Sequence, residues 1–253
     1  MSPPRSTQCP AQPPEGAPEN LGAARRFLVN TQLDHLIVAA ATLAEGVAWC
    51  EQVLGVTPGP GGQHPLMGTH NRLLKIATPT CPDAYFEIIA LDPQAAPPQR
   101  VRWFGLDEPA LRERIAQEPR LIHAVARSPQ LDMHRFGLIQ VGFQPGVPIK
   151  AGRETPQGPL AWQMLLRDDG RLLCGGALPT LIQWEGRHPA QAMPDSGVTL
   201  SSLTLRGVPE RAAEVLRLQG VTVEPVAPSS SAPALTAVLQ TPRGEVTLHS
   251  DAP

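Results

Sequence analysis

Residues 33–38, Leu-Asp-His-Leu-Ile-Val, and residues 85–90, Tyr-Phe-Glu-Ile-Ile-Ala, read as two apolar strands, each with a ligand-type side chain in mid-run. An ionisable group inside an apolar strand costs several kcal/mol unless something pairs with it or coordinates it. Period-two alternation sets His35 on the face of Leu33 and Ile37, and Glu87 on the face of Tyr85 and Ile89. If both faces look into one cavity, its floor is imidazole and carboxylate.

Outward from these strands the grammar is β-α-β-β. Thr42 with Glu45 three residues on forms a capping box, Leu43, Val47, Cys50 and Leu54 keep helical spacing, and Gly55 is a C-cap. A Gly-rich loop over 59–62 precedes strands over 71–77 and 85–91, with room for one more short strand near 63–68. After a connector with a short helix near 108–117, striped by Leu111 and Ile115, the pattern recurs. It comprises a strand over 121–126, a helix over 129–141 entered by Ser128 as N-cap and Pro129 at N1, a turn-rich stretch 143–158, and strands over 160–167 and 180–184. His123 falls in its strand where His35 falls in the first. A third, shorter unit adds a strand over 198–205, a helix over 209–219 ended by Gly220, and strands over 234–240 and 244–249, with Pro228 to Pro233 as a loop.

These elements predict an α+β fold. Residues 1–30, with six prolines and little that packs, are expected to be a disordered arm; 31–195 form one two-module domain and 196–253 a C-terminal βαββ half-module. The chain is 42% apolar with 30 prolines, which predicts a real core, short strands and rigid turns. Net charge is −2 and Lys and Arg are scattered, so no nucleic-acid partner is expected. Cys9, Cys50, Cys81 and Cys174 stand far apart without a CxxC, which fits reduced thiols and a cytoplasmic location. Arg25-Arg26 is a chance match to a twin-arginine signal, because polar residues interrupt any apolar region after it. No run approaches the ~20 apolar residues of a membrane span, so no membrane partner is expected. A Walker loop, a G-x-S-x-G elbow and a dinucleotide fingerprint are absent.

Other side chains extend the candidate site. His64 and His70 flank a turn-rich segment, and Gly61, Gly62 and Gly68 let backbone N–H groups approach a ligand. His70 and Asn71 are candidates for general acid/base and hydrogen-bond roles, which also opens a metal-free reading with His70 as base. Arg153 is either a clamp for a substrate carboxylate or a structural ion-pair partner. Trp162 and Trp184 are cavity walls or core, and His134, His188 and His249 are expected in solvent.

In these features the chain resembles the vicinal oxygen chelate superfamily, and more closely its glyoxalase-like branch. The resemblance rests on residues 33–38, Gly61 to Leu74, Tyr85 to Ile89, Arg153 to Pro156 with Trp162, and Leu181 to Glu185. It implies paired βαβββ modules curled into a half-open barrel around a small-molecule site. His35 and Glu87 stand at the first-module metal-ligand positions and His123 at the second-module histidine, while Gln183 or Glu185 holds the fourth position. Gln183, as an amide, would be the poorer ligand. Two imidazoles and a carboxylate would suit a divalent metal, Fe, Mn, Zn or Ni, with open positions for vicinal oxygens. The resemblance thus implies a lyase, isomerase or dioxygenase acting on a small oxygen-rich substrate; together with the reading of the other side chains, Glu87 and His70 are the catalytic candidates and His64, His70, Asn71, Arg153, Trp162 and Gln183 the binding candidates. The alternative is a metal-free protein that only binds or sequesters a small molecule.

Overall fold

The computed structural model describes residues 29–225 and 234–250; the arm expected over 1–28 and the loop expected over 228–233 lie outside them. Eight strands make one curled sheet: β1 (Gln32–Ala39), β2 (Gly59–His64), β3 (Thr69–Lys75), β4 (Tyr85–Leu91), β5 (Arg120–Arg127), β6 (Val147–Arg153), β7 (Leu160–Leu166) and β8 (Thr180–Glu185). Their order is β2-β3-β4-β1-β5-β8-β7-β6. With helices α1 (Leu43–Val53) and α3 (Leu131–Gln140), this is βαβββ twice, joined where β1 pairs antiparallel with β5. Between the modules runs α2 (Pro109–Ile115). A separate four-stranded sheet, β9 (Thr199–Arg206), β10 (Thr222–Glu224), β11 (Leu235–Thr241) and β12 (Gly244–His249), is ordered β10-β9-β11-β12 and carries α4 (Glu210–Leu216).

Two strands lie where turns were expected. β2 runs through the Gly-rich stretch, leaving a turn at 65–68 where a strand was expected, and β6 lies inside the turn-rich 143–158. Both are the edges of the sheet. An edge strand tolerates proline because one side of its ladder needs no N–H donor, so Pro60 and Pro148 disguise strands that pair on one side only. α3 starts at Leu131, two residues late, because Ser128 is still tied to the sheet through its N–H to the Ile182 carbonyl, 2.8 Å.

Local chemistry explains α1. The Thr42 hydroxyl accepts from Glu45 N–H at 3.2 Å and the Glu45 carboxylate accepts from Thr42 N–H at 3.0 Å, while Gly55 turns at φ 75° beyond the cap. Its buried face, Gly46, Trp49 and Cys50, packs on β4, with Trp49 stacked on Phe86; a Cβ at Gly46 would collide with Ile88. The outer face of the curled sheet shares one apolar core with the second sheet, in which Leu36, Val38 and Phe86 meet Leu203, Leu205 and Leu235. The inner face, Ile37, Ile89, Val125 and Ile182, is covered by Trp103, Phe104, Leu111 and Ile115 of the connector and α2. That cover leaves a small chamber in the half-barrel.

Candidate active site

A β-bulge decides the site. Leu33 pairs with Ala126 and His35 with Val125, so Asp34 is an extra residue without a partner across the ladder. Leu33 consequently turns into the outer core rather than sharing the face of His35, and Asp34 and His35 are both buried, at 1% and 2% exposure. The two are locked together, with His35 Nδ1 2.7 Å from Asp34 Oδ1. Asp34 Oδ2 accepts from Trp184 Nε1 at 2.9 Å and from His188 Nε2 at 3.0 Å. His188 Nδ1 in turn accepts from Ala190 N–H at 3.2 Å, which fixes its ring.

On its other side His35 Nε2 stands 3.3 Å from Glu87 Oε2. Glu87 Oε1 accepts from Asn71 Nδ2 at 2.6 Å, and Asn71 Oδ1 accepts from Gly62 N–H at 2.7 Å and from Arg153 at 3.3 Å. His64 lies against this amide, its Nε2 3.4 Å from Asn71 Nδ2 and its Nδ1 donating to the Thr69 hydroxyl at 3.1 Å. Tyr85 stacks on His35 at 4.6 Å. Trp103, Phe104, Trp162 and Trp184 wall the chamber, which has about 30 Å³ of free volume. That is room for one or two waters.

Electrostatics follow from burial and partners. Burial pushes His35 down, but hydrogen bonds to Asp34 and Glu87 outweigh it and carry the ring up from 6.5 to about 9, so it is imidazolium at neutral pH. Burial raises Asp34 and Glu87, yet the histidines at their oxygens hold both below the usual carboxylate range. His64 is held neutral, pushed down to about 4 mainly by burial, and Tyr85 is raised well above 10 mainly by burial.

Of the side chains singled out in the sequence, the structure brings His35, Glu87, His64, Asn71, Arg153 and Trp162 to one chamber. His70 does not join them. Alternation along β3 turns it away from Asn71, and its Nε2 is buried without a hydrogen bond among the described residues. Gln183 faces outward, where its side-chain oxygen accepts from Leu131 N–H at 2.9 Å, and Glu185 is exposed; Ile182 and Trp184 face the chamber instead.

His123 is the instructive departure. Ile37, two residues beyond His35, pairs with Glu87; Val125, two beyond His123, pairs with Thr180. Thr180 therefore stands at the second-module counterpart of Glu87. His123 Nδ1 donates to the Gly176 carbonyl at 3.0 Å, and its Nε2, 2.9 Å from the Thr180 hydroxyl, accepts from Thr180 N–H at 3.1 Å. Both ring nitrogens are occupied, and burial holds the ring neutral, pushed down to about 3. Among the described residues no group of three or more His, Cys, Asp or Glu side chains stands where it could hold a metal ion. The expected set of His35, Glu87 and His123 thus does not fit a divalent cation in this arrangement.

Asp34, Tyr85, His188, Trp103 and Phe104 were not singled out in the sequence. Asp34 carries the same signal as His35, an ionisable group in mid-strand. His188 and His134, expected in solvent, are buried at 3% and 0% exposure; His134 is held by Ser128 and the Val29 carbonyl. His249 is exposed, as expected.

Two predictions arise here. A Cβ at Gly61 would collide with both the carbonyl and the side-chain oxygen of Asn71, and one at Gly62 with the Arg153 guanidinium. Gly61→Ala is expected to lower stability in urea unfolding by about 1–3 kcal/mol, the usual cost of overpacking. The second concerns pH. His64 and His123 are held below the ordinary 6.5, so the unfolded chain takes up protons that the folded chain refuses as pH falls toward 4, and stability drops. His35 is raised, so its contribution is full below pH 6.5 and is lost as pH rises through 9. The urea midpoint is expected to peak near pH 6.5; a midpoint that climbs from there to pH 9 would contradict a charged His35.

A family model described as a glyoxalase-like domain matches residues 33–223. Among solved structures, a hypothetical protein from Staphylococcus aureus is 13% identical, with 87% of this chain and 86% of that chain covered and a TM-score of 0.50. Methylmalonyl-CoA epimerase from Streptomyces coelicolor, in complex with 2-nitronate-propionyl-CoA, is 15% identical over 62% of this chain and 94% of that one, with a TM-score of 0.39. The Mycobacterium tuberculosis methylmalonyl-CoA epimerase is 19% identical over 65% and 95%, with a TM-score of 0.36. No curated protein sequence matches the chain.

Proposed function

The chain belongs to the glyoxalase-like domain family of the vicinal oxygen chelate superfamily, and on that premise we propose that it is a proton-transferring isomerase or lyase for a small oxygen-rich acid. One observation carries this reading. His35 and Glu87 face each other at 3.3 Å on the chamber floor, each with its far side anchored, by Asp34 and Asn71 respectively.

A substrate carbonyl oxygen that takes the Nε2–H of His35 separates this ion pair. Glu87 then loses the contact that holds its acidity up while remaining buried, and its basicity rises. The carboxylate takes a proton from the carbon beside the carbonyl. The C–H electron pair becomes the enolate double bond, and the negative charge on oxygen is held by the His35 imidazolium. Return of the proton to the opposite face of that carbon epimerises the substrate; where that carbon bears a hydroxyl, passage of the hydroxyl proton to the former carbonyl oxygen lets the proton return to the neighbouring carbon instead, and departure of a group with its bonding pair from the next carbon makes the reaction a lyase. Buried aromatic walls exclude water from the intermediate. Residues Asn71 and Arg153 orient the carboxylate and the substrate, and His64, neutral, supports the amide. Cys50 and Cys81 are buried free thiols, which supports the cytoplasmic part of the reading. Among the described residues no helix is long and apolar enough to cross a membrane.

Proton NMR in D₂O tests this on a panel of 2-oxo acids, 2-hydroxy acids and dicarbonyls. Loss of a signal next to a carbonyl, faster with protein than without, is the expected result. A panel member that raises the melting temperature yet keeps all its C–H signals would replace the enzyme by a sequestering protein.

A further inference from the structure

Leu73, Arg153 and Pro189 line both the chamber and a second, larger cavity beside it, of about 470 Å³. The inner chamber, at about 30 Å³, accepts only the reacting end of a molecule, so the rest of any substrate must lie outside it. The outer cavity has apolar walls, including Val56, Leu74, Pro156 and Met193, three cationic side chains, Lys75, Arg153 and Arg187, and one carboxylate, Asp195.

The state of those cations is informative. Lys75 is 3.4 Å from Asp195, a carboxylate exposed to solvent. Arg153 and Arg187 have no carboxylate partner among the described residues. Arg153 donates to the Asn71 amide oxygen at 3.3 Å, while its Nε is buried without a hydrogen bond. Arg187 meets only neutral acceptors, the Thr155 hydroxyl at 3.4 Å and the Gly158 carbonyl at 3.3 Å. Two half-buried guanidinium groups that line one cavity without carboxylate partners favour an anion there, and their planar donor forks match a carboxylate.

We propose that this vestibule is a carboxylate subsite. It takes organic acids with an apolar body, the carboxylate against Arg153 and Arg187 and the body along the apolar walls. The subsite rests on the functional reading only in naming the substrate class; its binding chemistry is independent of Glu87.

Isothermal titration calorimetry with hexanoate, hexanamide and inorganic phosphate tests it on wild type, Arg187→Gln, Arg153→Gln and Glu87→Gln, with melting curves to confirm folding. Hexanoate is expected to bind at least about tenfold tighter than hexanamide, the scale of one charge-assisted pair. Arg187→Gln, which leaves the hydrogen bonds of the inner chamber untouched, should lose that preference while remaining folded. Glu87→Gln should keep it. Equal binding of acid and amide, absence of binding by hexanoate, or an unchanged preference in Arg187→Gln would overturn the subsite. Phosphate binding as tightly as hexanoate would overturn the apolar-body part, showing a site for any small anion. Because the readout is binding, a failure of proton exchange leaves this result standing, and the converse also holds.

Discussion

Asp34→Ala is expected to destabilise the chain by about 3–5 kcal/mol in urea unfolding, the cost of removing one partner from a buried charge pair. Whole domains are commonly stable by only about 5–15 kcal/mol, so this is a large share. The size follows from what the carboxylate satisfies: at 1% exposure it accepts from His35 beside it and from Trp184 and His188, about 150 residues away in the chain. Alanine leaves three buried donors unpaired. It also removes the hydrogen bond that, with Glu87, opposes the burial of His35, so the His35 ring should titrate below its raised value near 9. Following that ring by NMR separates this account from simple loss of packing. A loss under about 1 kcal/mol with an unmoved His35 titration would show that the network carries little.

The origin of Asp34's importance shows how far a sequence can be read here. His35 and Glu87 were legible because a charged group in an apolar strand is conspicuous, and both ended beside each other. Asp34 had the same signal but was hidden by the assumption of unbroken alternation; a bulge is set by register against β5, a contact nearly a hundred residues away in the chain. Thr180 was missed for a related reason. It answers to Glu87 through the pairing of β5 with β8, whereas the family resemblance pointed to Gln183 or Glu185. The module repeat was legible from the strands buried in its middle, while the edge strands β2 and β6 carried proline and glycine and read as loops. His188 sits in a turn after β8, and nothing local to it shows that the chain folds back over Asp34.

Glu87→Gln is expected to lower proton exchange by about 10²–10⁴-fold, the usual contribution of a general base. The amide keeps the shape and can still meet Asn71, and Asp34 remains to pair His35, so the variant should fold. Glu87→Asp makes the sharper comparison. It preserves the charge but draws the carboxylate back by one methylene, away from the position 3.3 Å from His35. A displacement of that order costs on the order of 10²-fold when the chemistry depends on position, and little when only the field of a negative charge matters. If Glu87 takes the proton, both variants lose exchange, while hexanoate binding in the vestibule persists because Arg153 and Arg187 are untouched. If Glu87 only holds His35 protonated, Glu87→Asp should stay within a few-fold of wild type and Glu87→Gln should recover at lower pH, where His35 is protonated without it. The pH profile of exchange therefore assigns the carboxylate its role: base if Glu87→Gln is inactive at every pH, electrostatic support if acid restores it.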